Sequence, residues 1–191
     1  MKQPIVTVFG SSNPGAGSPA YQLAYDLGRA LALSGWTVCN GGYGGTMEAS
    51  ARGAVEAGGH TIGVTCLAFG RSGPNAFIQQ EIPTFHLLVR LDTLVRLGRA
   101  YIVLPGGTGT LLELALVWEL RNKRLLRRAA PLLLLGSHWQ PLVDTILLAQ
   151  PEATPPQIVH TVEEVVEVLR PHFQRRQSGD RECEAPPGGA A

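Results

Sequence analysis

The chain reads as a single-domain α/β protein, a Rossmann-like doubly wound parallel sheet flanked by helices. Three observations predict this. Short β-branched or aliphatic runs alternate with longer stretches at helical period, which is the order of βαβ units. Glycine-rich loops follow three of the runs, at the strand ends where an open parallel sheet forms its ligand crevice. The chain has 191 residues, 45% apolar and 16% charged, enough for one buried core and short for two. Residues 1–174 are the expected domain.

The first strand is Ile5–Phe9, ended by Gly10. Its apolar run is too brief for a secretory h-region, and no stretch approaches the ~18 to 20 apolar residues of a membrane span. A cytoplasmic location without membrane contact is expected. The first helix starts near Pro19, repeats Tyr21, Ala24, Tyr25, Leu27, Gly28 and Leu31 at helical spacing, and stops at Gly35. Thr37–Cys39 is the second strand, and "TMEASARGAVEAGG" is a helix closed by Gly58 and Gly59. Thr61–Val64 is the third strand. The stretch 66–86, "CLAFGRSGPNAFIQQEIPTFH", has no period and reads as a long irregular loop, of a length that is usually functional or mobile.

Beyond it the pattern predicts a helix at Leu88–Leu97, a strand at Tyr101–Leu104 and a helix at Thr110–Leu120. Leu132–Leu135 is a strand, Gln140–Leu148 a helix, Ile158–His160 a weaker strand and Val162–His172 a final helix. From 175 to 191 the composition turns to "RRQSGDRECEAPPGGAA", which lacks apolar periodicity, and a disordered tail is expected.

Charge and rare residues exclude several functions. A net charge of +1 lacks the basic excess of a nucleic-acid binder. The cluster "RNKRLLRR", Arg121 to Arg128, follows a predicted helix; a solvated end suited to the helix dipole and a polyanion or partner site both remain open. Cys39, Cys66 and Cys183 are odd in number and far apart, so they form neither a disulfide framework nor a CxxC pair. No loop has the lysine followed by Ser or Thr of a Walker motif. "GAGSPA", Gly15 to Ala20, formally fits GxGxxA, yet it begins past the strand end, and Asn40 stands where a dinucleotide site needs an acid. The only lysines are Lys2 and Lys123, at the terminus and in the basic cluster, which disfavours pyridoxal phosphate chemistry. His60, His86, His138, His160 and His172 show no metal-ligand spacing, and no GxSxG elbow is present. No metal and no cofactor is expected.

The three loops are "FGSSNPGAGSPA", "NGGYGGTMEAS" and "LPGGTGTLLEL". Glycine admits positive φ and lets a ligand approach the backbone, and free N–H groups at a helix start favour an anion. Together they predict a nucleotide or sugar-phosphate site.

"PGGTGTLLE", Pro105 to Glu113, resembles the PGGxGTxxE motif of the LOG family, cytokinin-activating nucleoside 5'-monophosphate phosphoribohydrolases that are often mislabelled lysine decarboxylases. The likeness covers roughly residues 4–150, where a GSS-type loop and a GGG-type loop occur in the family's order. Its glutamate carries over to Glu113. Its catalytic arginine, on the helix before the PGG strand, carries over to Arg90, but Leu91 replaces the lysine that follows, which leaves the exact substrate open. Glu48 stands where the family has a small residue, and an acid favouring the dipole of its helix explains it.

The resemblance implies hydrolysis of the N-glycosidic bond of AMP or an N6-modified AMP to free base and ribose 5-phosphate, by a homodimer. Glu113 would stabilise the cationic sugar or orient the water; as a first-turn acid it would instead serve the helix dipole. Arg90 would contact the nucleotide, against a plain surface arginine. The phosphate would meet Gly106, Gly107, Thr108, Gly109 and Thr110, with Ser11, Ser12, Asn13, Gly42, Gly44, Gly45, Thr46 and Met47 lining the rest. The apolar helix "LLELALVWEL", Leu111 to Leu120, suits either a dimer interface or an ordinary core. The alternative function is a non-catalytic nucleotide- or molybdenum-cofactor-binding protein of the same fold.

Overall fold

The computed structural model describes residues 3–126 and 130–182, with side chains to 174. Seven strands form one sheet: β1 (Ile5–Phe9), β2 (Thr37–Asn40), β3 (Thr61–Cys66), β4 (Gln80–Thr84), β5 (Ala100–Val103), β6 (Leu132–Leu135) and β7 (Gln157–Val159). They lie in the order β4-β3-β2-β1-β5-β6-β7, and every pairing is parallel. Among the described residues, five α-helices lie between the strands, α1 (Pro19–Leu33), α2 (Thr46–Glu56), α3 (Leu87–Leu97), α4 (Thr108–Asn122) and α5 (Gln140–Ala149), and a sixth, α6 (Val162–Glu182), follows β7.

Alternation along the strands builds two cores. Val6 and Val8 of β1, with Ala100 and Ile102 of β5, face α1 and α6 through Leu27, Leu31, Val165 and Leu169. Phe9, Tyr101 and Val103 face the other way, against Leu94 of α3 and Leu114, Val117 and Trp118 of α4. Both faces of the sheet are therefore covered, as a parallel sheet requires. Among the described residues, no helix is long and apolar enough to cross a membrane.

Three expectations need adjusting. The stretch 66–86 contains a short 3-10 turn, Leu67–Phe69, and strand β4. β4 is an edge strand, mostly exposed, with Pro83 inside it, so it shows neither hydrophobic alternation nor the usual strand composition. Helix α4 starts at Thr108 rather than Thr110, which puts the whole Thr108–Gly109–Thr110 triplet into its first turn. Helix α6 continues past His172, through Pro171, to Glu182. The rest of the expected tail, 183–191 with Cys183, lies outside the described residues, as do Arg127 and Arg128 of the basic cluster.

Strands β1 and β5 lie side by side, and the chain leaves β1 toward β2 but leaves β5 in the opposite direction toward β6. The loops after β1 and β5 separate there and open a crevice at the carboxyl ends of the strands.

Candidate functional site

A cleft of about 330 Å³ occupies this switch point. One wall is the loop after β1, Gly10 to Asn13; another is the start of α4 with Gly107, Thr108, Gly109 and Thr110; Glu113 and Arg90 face each other deeper in. Tyr43, Met47, Phe69, Arg71, Leu87, Leu91 and Leu112 complete it.

Helix α4 has no side-chain cap, because Gly107 stands at the N-cap. Its first-turn N–H groups are left for a ligand, and the helix dipole favours an anion there. Gly107, Thr108 and Gly109 are exposed to the cleft, whereas Thr110 is buried. A β-carbon on Gly106 would collide with the Thr110 hydroxyl. That close fit folds Thr110 back against Gly106, so of the two threonine hydroxyls only that of Thr108 belongs to an exposed residue.

Glu113 follows five residues after Thr108, about 7.5 Å along the helix axis. Only 8% exposed, it accepts a hydrogen bond from Arg90 Nη1 at 3.3 Å. Burial dominates its chemistry: it lifts the carboxyl from 4.5 to about 7, although the Arg90 charge and hydrogen bond both pull the other way. An acid poised near neutrality is what proton-handling sites select for.

Arg90 is 6% exposed, on the first turn of α3. Its Nε donates to the Val64 carbonyl of β3 at 2.8 Å, and its guanidinium lies beside the contacting rings of Tyr43 and Phe69, 5.8 and 5.7 Å from their centroids. A surface arginine is thereby excluded. The guanidinium passes over Gly41, where a β-carbon would strike Arg90 Nη2 and crowd the Met47 sulfur. Gly41 thus admits the arginine, a role that the glycine-loop reading missed.

The loop after β2 serves mainly as scaffold. Gly42, Gly44, Gly45 and Thr46 do not line the cleft; Met47 does. Asn40, fully buried, accepts from Gly42 N at 2.8 Å and donates to the Met47 carbonyl at 2.9 Å and the Ser50 hydroxyl at 3.1 Å. Gly45 has φ +68, and a β-carbon there would hit the Ser11 carbonyl. Thr46 donates to that same carbonyl from its backbone N (2.9 Å) and its hydroxyl (3.0 Å). These residues pin Ser11 and Ser12 at the cleft edge. Glu48 faces α1 instead, accepting from the Tyr21 hydroxyl at 3.1 Å.

Tyr43, Phe69, Arg71, Leu87 and Leu112 also escaped the sequence reading. Tyr43 is fixed by accepting from Cys66 N at 2.8 Å and donating to the Cys66 carbonyl at 3.2 Å, which brings the 66–86 segment to the site. On α4, Trp118 is buried and donates to the Thr154 carbonyl at 2.8 Å, so that part of the apolar helix belongs to the core. In the basic cluster, Lys123 pairs with Glu119 at 3.6 Å and Arg121 reaches the Pro155 carbonyl at 3.4 Å, both contacts within the chain.

A model of the SLOG cluster4 family matches residues 3–140. A cytokinin riboside 5'-monophosphate phosphoribohydrolase of Rhodococcoides fascians is 32% identical over 152 residues, covering 74% of this chain and 73% of that protein. A protein of the same name from Mycobacterium tuberculosis is 37% identical over 109 residues, 54% of this chain and 58% of that one. Among solved structures, the molybdenum cofactor binding protein of Rippkaea orientalis superposes with a TM-score of 0.71 at 28% identity, covering 91% of this chain and 99% of that one.

Proposed function

The chain belongs to the SLOG cluster4 family, and from that premise we propose that it is a cytoplasmic, homodimeric hydrolase of the N-glycosidic bond in nucleoside 5'-monophosphates. One observation carries the reading: a buried carboxylate, Glu113, held by Arg90 one to two turns beyond an uncapped helix start. The 5'-phosphate would sit against the N–H groups of Thr108, Gly109 and Thr110, with Ser11, Ser12 and Asn13 opposite. That anchorage sets the sugar beside Glu113, and remote binding energy positions the reacting carbon.

As the bond between the anomeric carbon and the base nitrogen breaks, its electron pair leaves with the base and positive charge grows on the ribose. Ionised Glu113 stabilises that charge more in the transition state than in the ground state. Water adds its oxygen to the anomeric carbon, its proton passes through Glu113 toward the departing base, and ribose 5-phosphate and free base result. Arg90 holds the carboxylate in place and keeps it more acidic than burial alone would.

Dimerisation is supported by the exposed apolar side chains of Leu67, Phe69, Phe85, Leu88, Val89 and Leu112, of which Phe69 and Leu112 also line the cleft. The buried free thiols of Cys39 and Cys66 suit a reducing compartment.

Incubation with purine nucleoside 5'-monophosphates, AMP and an N6-modified AMP among them, with assay of free base, tests the activity. Wild-type protein releases base, and Glu113→Gln lowers the rate by roughly a hundredfold or more. Wild-type release no greater than that of the variant overturns the hydrolase reading. It would then favour the second one, a carrier or sensor that binds without cleaving, which Leu91 in the cleft wall and the likeness to the Rippkaea protein support.

A further inference from the structure

The polar groups of the cleft are linked by a chain of contacts. Glu113 follows the uncapped start of α4 on the same helix, and Arg90 links Glu113 to the rings of Tyr43 and Phe69. Arg71 comes next, its guanidinium 4.8 Å from the Tyr43 ring centroid. Phosphate, sugar and base of a nucleoside monophosphate match those linked groups. With the phosphate at the start of α4, the apolar lining of Phe69, Leu87 and Leu91 is the surface left for the base.

Arg71 is held for such a task. Its loop runs from Gly70 (φ +63) to Gly73 (φ +74) and is tied down just beyond, where Asn75 donates from its backbone N to the Gly42 carbonyl at 2.7 Å and from Nδ2 to the Tyr43 carbonyl at 2.8 Å. The same turn therefore fixes Tyr43 and the arm that carries Arg71. Among the described residues Arg71 has no ion pair and no hydrogen bond, whereas Arg90 is engaged by Val64 and Glu113.

A guanidinium only donates. The base edge that suits it offers two acceptors side by side, as N7 and O6 of a 6-oxopurine do, a pair that arginine reads bidentately. A 6-aminopurine presents a donor at the 6-position and leaves the match half made. We propose that Arg71 is a specificity-determining residue that selects 6-oxopurine nucleotides, of the IMP and GMP class, over those of the AMP class; this rests on the phosphoribohydrolase reading of the cleft.

The test compares kcat/KM for IMP, GMP and AMP in the wild-type protein, Arg71→Ala and Arg71→Lys, with inhibition by ribose 5-phosphate as a base-free control. Wild type prefers IMP and GMP roughly tenfold, the preference falls toward one in Arg71→Ala, and lysine restores only part of it. AMP used as well as or better than IMP by the wild type overturns the proposal while leaving the hydrolase reading intact. Equal weakening of ribose 5-phosphate and IMP in Arg71→Ala also overturns it, because Arg71 would then be a simple counter-ion. If no nucleotide is hydrolysed, the hydrolase reading falls, and equilibrium binding makes the same comparison: tighter IMP than AMP upholds base selection by Arg71, and equal or absent binding overturns it.

Discussion

Replacing Glu113 by glutamine is expected to make the protein more stable at pH 8 while lowering its rate at every pH. Burial raises this carboxyl from 4.5 to about 7 in the fold. Between those values the native state holds a proton that the unfolded chain has released. Stability therefore falls as pH rises through that window, and the full cost stands above pH 7. At about 1.4 kcal/mol per unit, that cost is about 3 kcal/mol. Glutamine resembles the protonated acid, and its amide oxygen still accepts from Arg90. The variant should thus exceed wild type by about 3 kcal/mol at pH 8, or roughly 6–12 °C in Tm for a domain of this size.

The assay is urea unfolding of both proteins at pH 5 and pH 8. At pH 5 the gap should shrink to under about 1 kcal/mol, since the native acid is then protonated and the unfolded one only partly ionised. A gap independent of pH, or a glutamine variant less stable than wild type at pH 8, refutes the reasoning, because ionised Glu113 would then not be an unfavourable charge. The charge that weakens the fold is the one that the proposed chemistry requires, a familiar opposition at active sites.

The pH dependence of kcat/KM should follow from the same group: activity rises with pH through a midpoint near 7, where Glu113 ionises. Arg90→Met removes the charge and hydrogen bond that lower this value, so its midpoint should move upward and its rate at pH 7 should drop; an unmoved midpoint would mean that Arg90 does not govern Glu113. Gly41→Ala places a β-carbon on the Arg90 guanidinium. Base release should fall at least about tenfold with the far-UV circular dichroism unchanged, and full activity in this variant would show that the arginine can be held from elsewhere.

How much of this was legible in the sequence depends on what kind of signal each part leaves. The central strands announced themselves as short aliphatic runs because both their faces are buried. Edge strand β4 did not, since its residues are exposed and Pro83 contradicts strand composition. Glu113 and the start of α4 were readable from one contiguous string. Arg90 was placed only by its distance from that string, and its burial against Val64 and Gly41 had no local signal, because those contacts join separate strands and loops. Gly42, Gly44, Gly45 and Thr46 looked like ligand groups by composition. Gly45 and Thr46 instead hold the Ser11 carbonyl, and the Gly42 carbonyl accepts from Asn75, a distinction that composition cannot make. Tyr43, Phe69 and Arg71 were hidden for the same reason: they meet only when the 66–86 segment folds over the turn after β2.

Leu91 acquires a physical meaning from this arrangement. It is 4% exposed and lines the cleft beside Arg90, at the position where the resembling family carries a lysine. A second cation in the cleft would favour the ionised form of a carboxylate close to it. With leucine, Arg90 alone opposes burial, and the balance settles near 7. The replacement leaves Glu113 and its partner Arg90 in place, so the carboxyl near 7 is set by burial against the one guanidinium that opposes it.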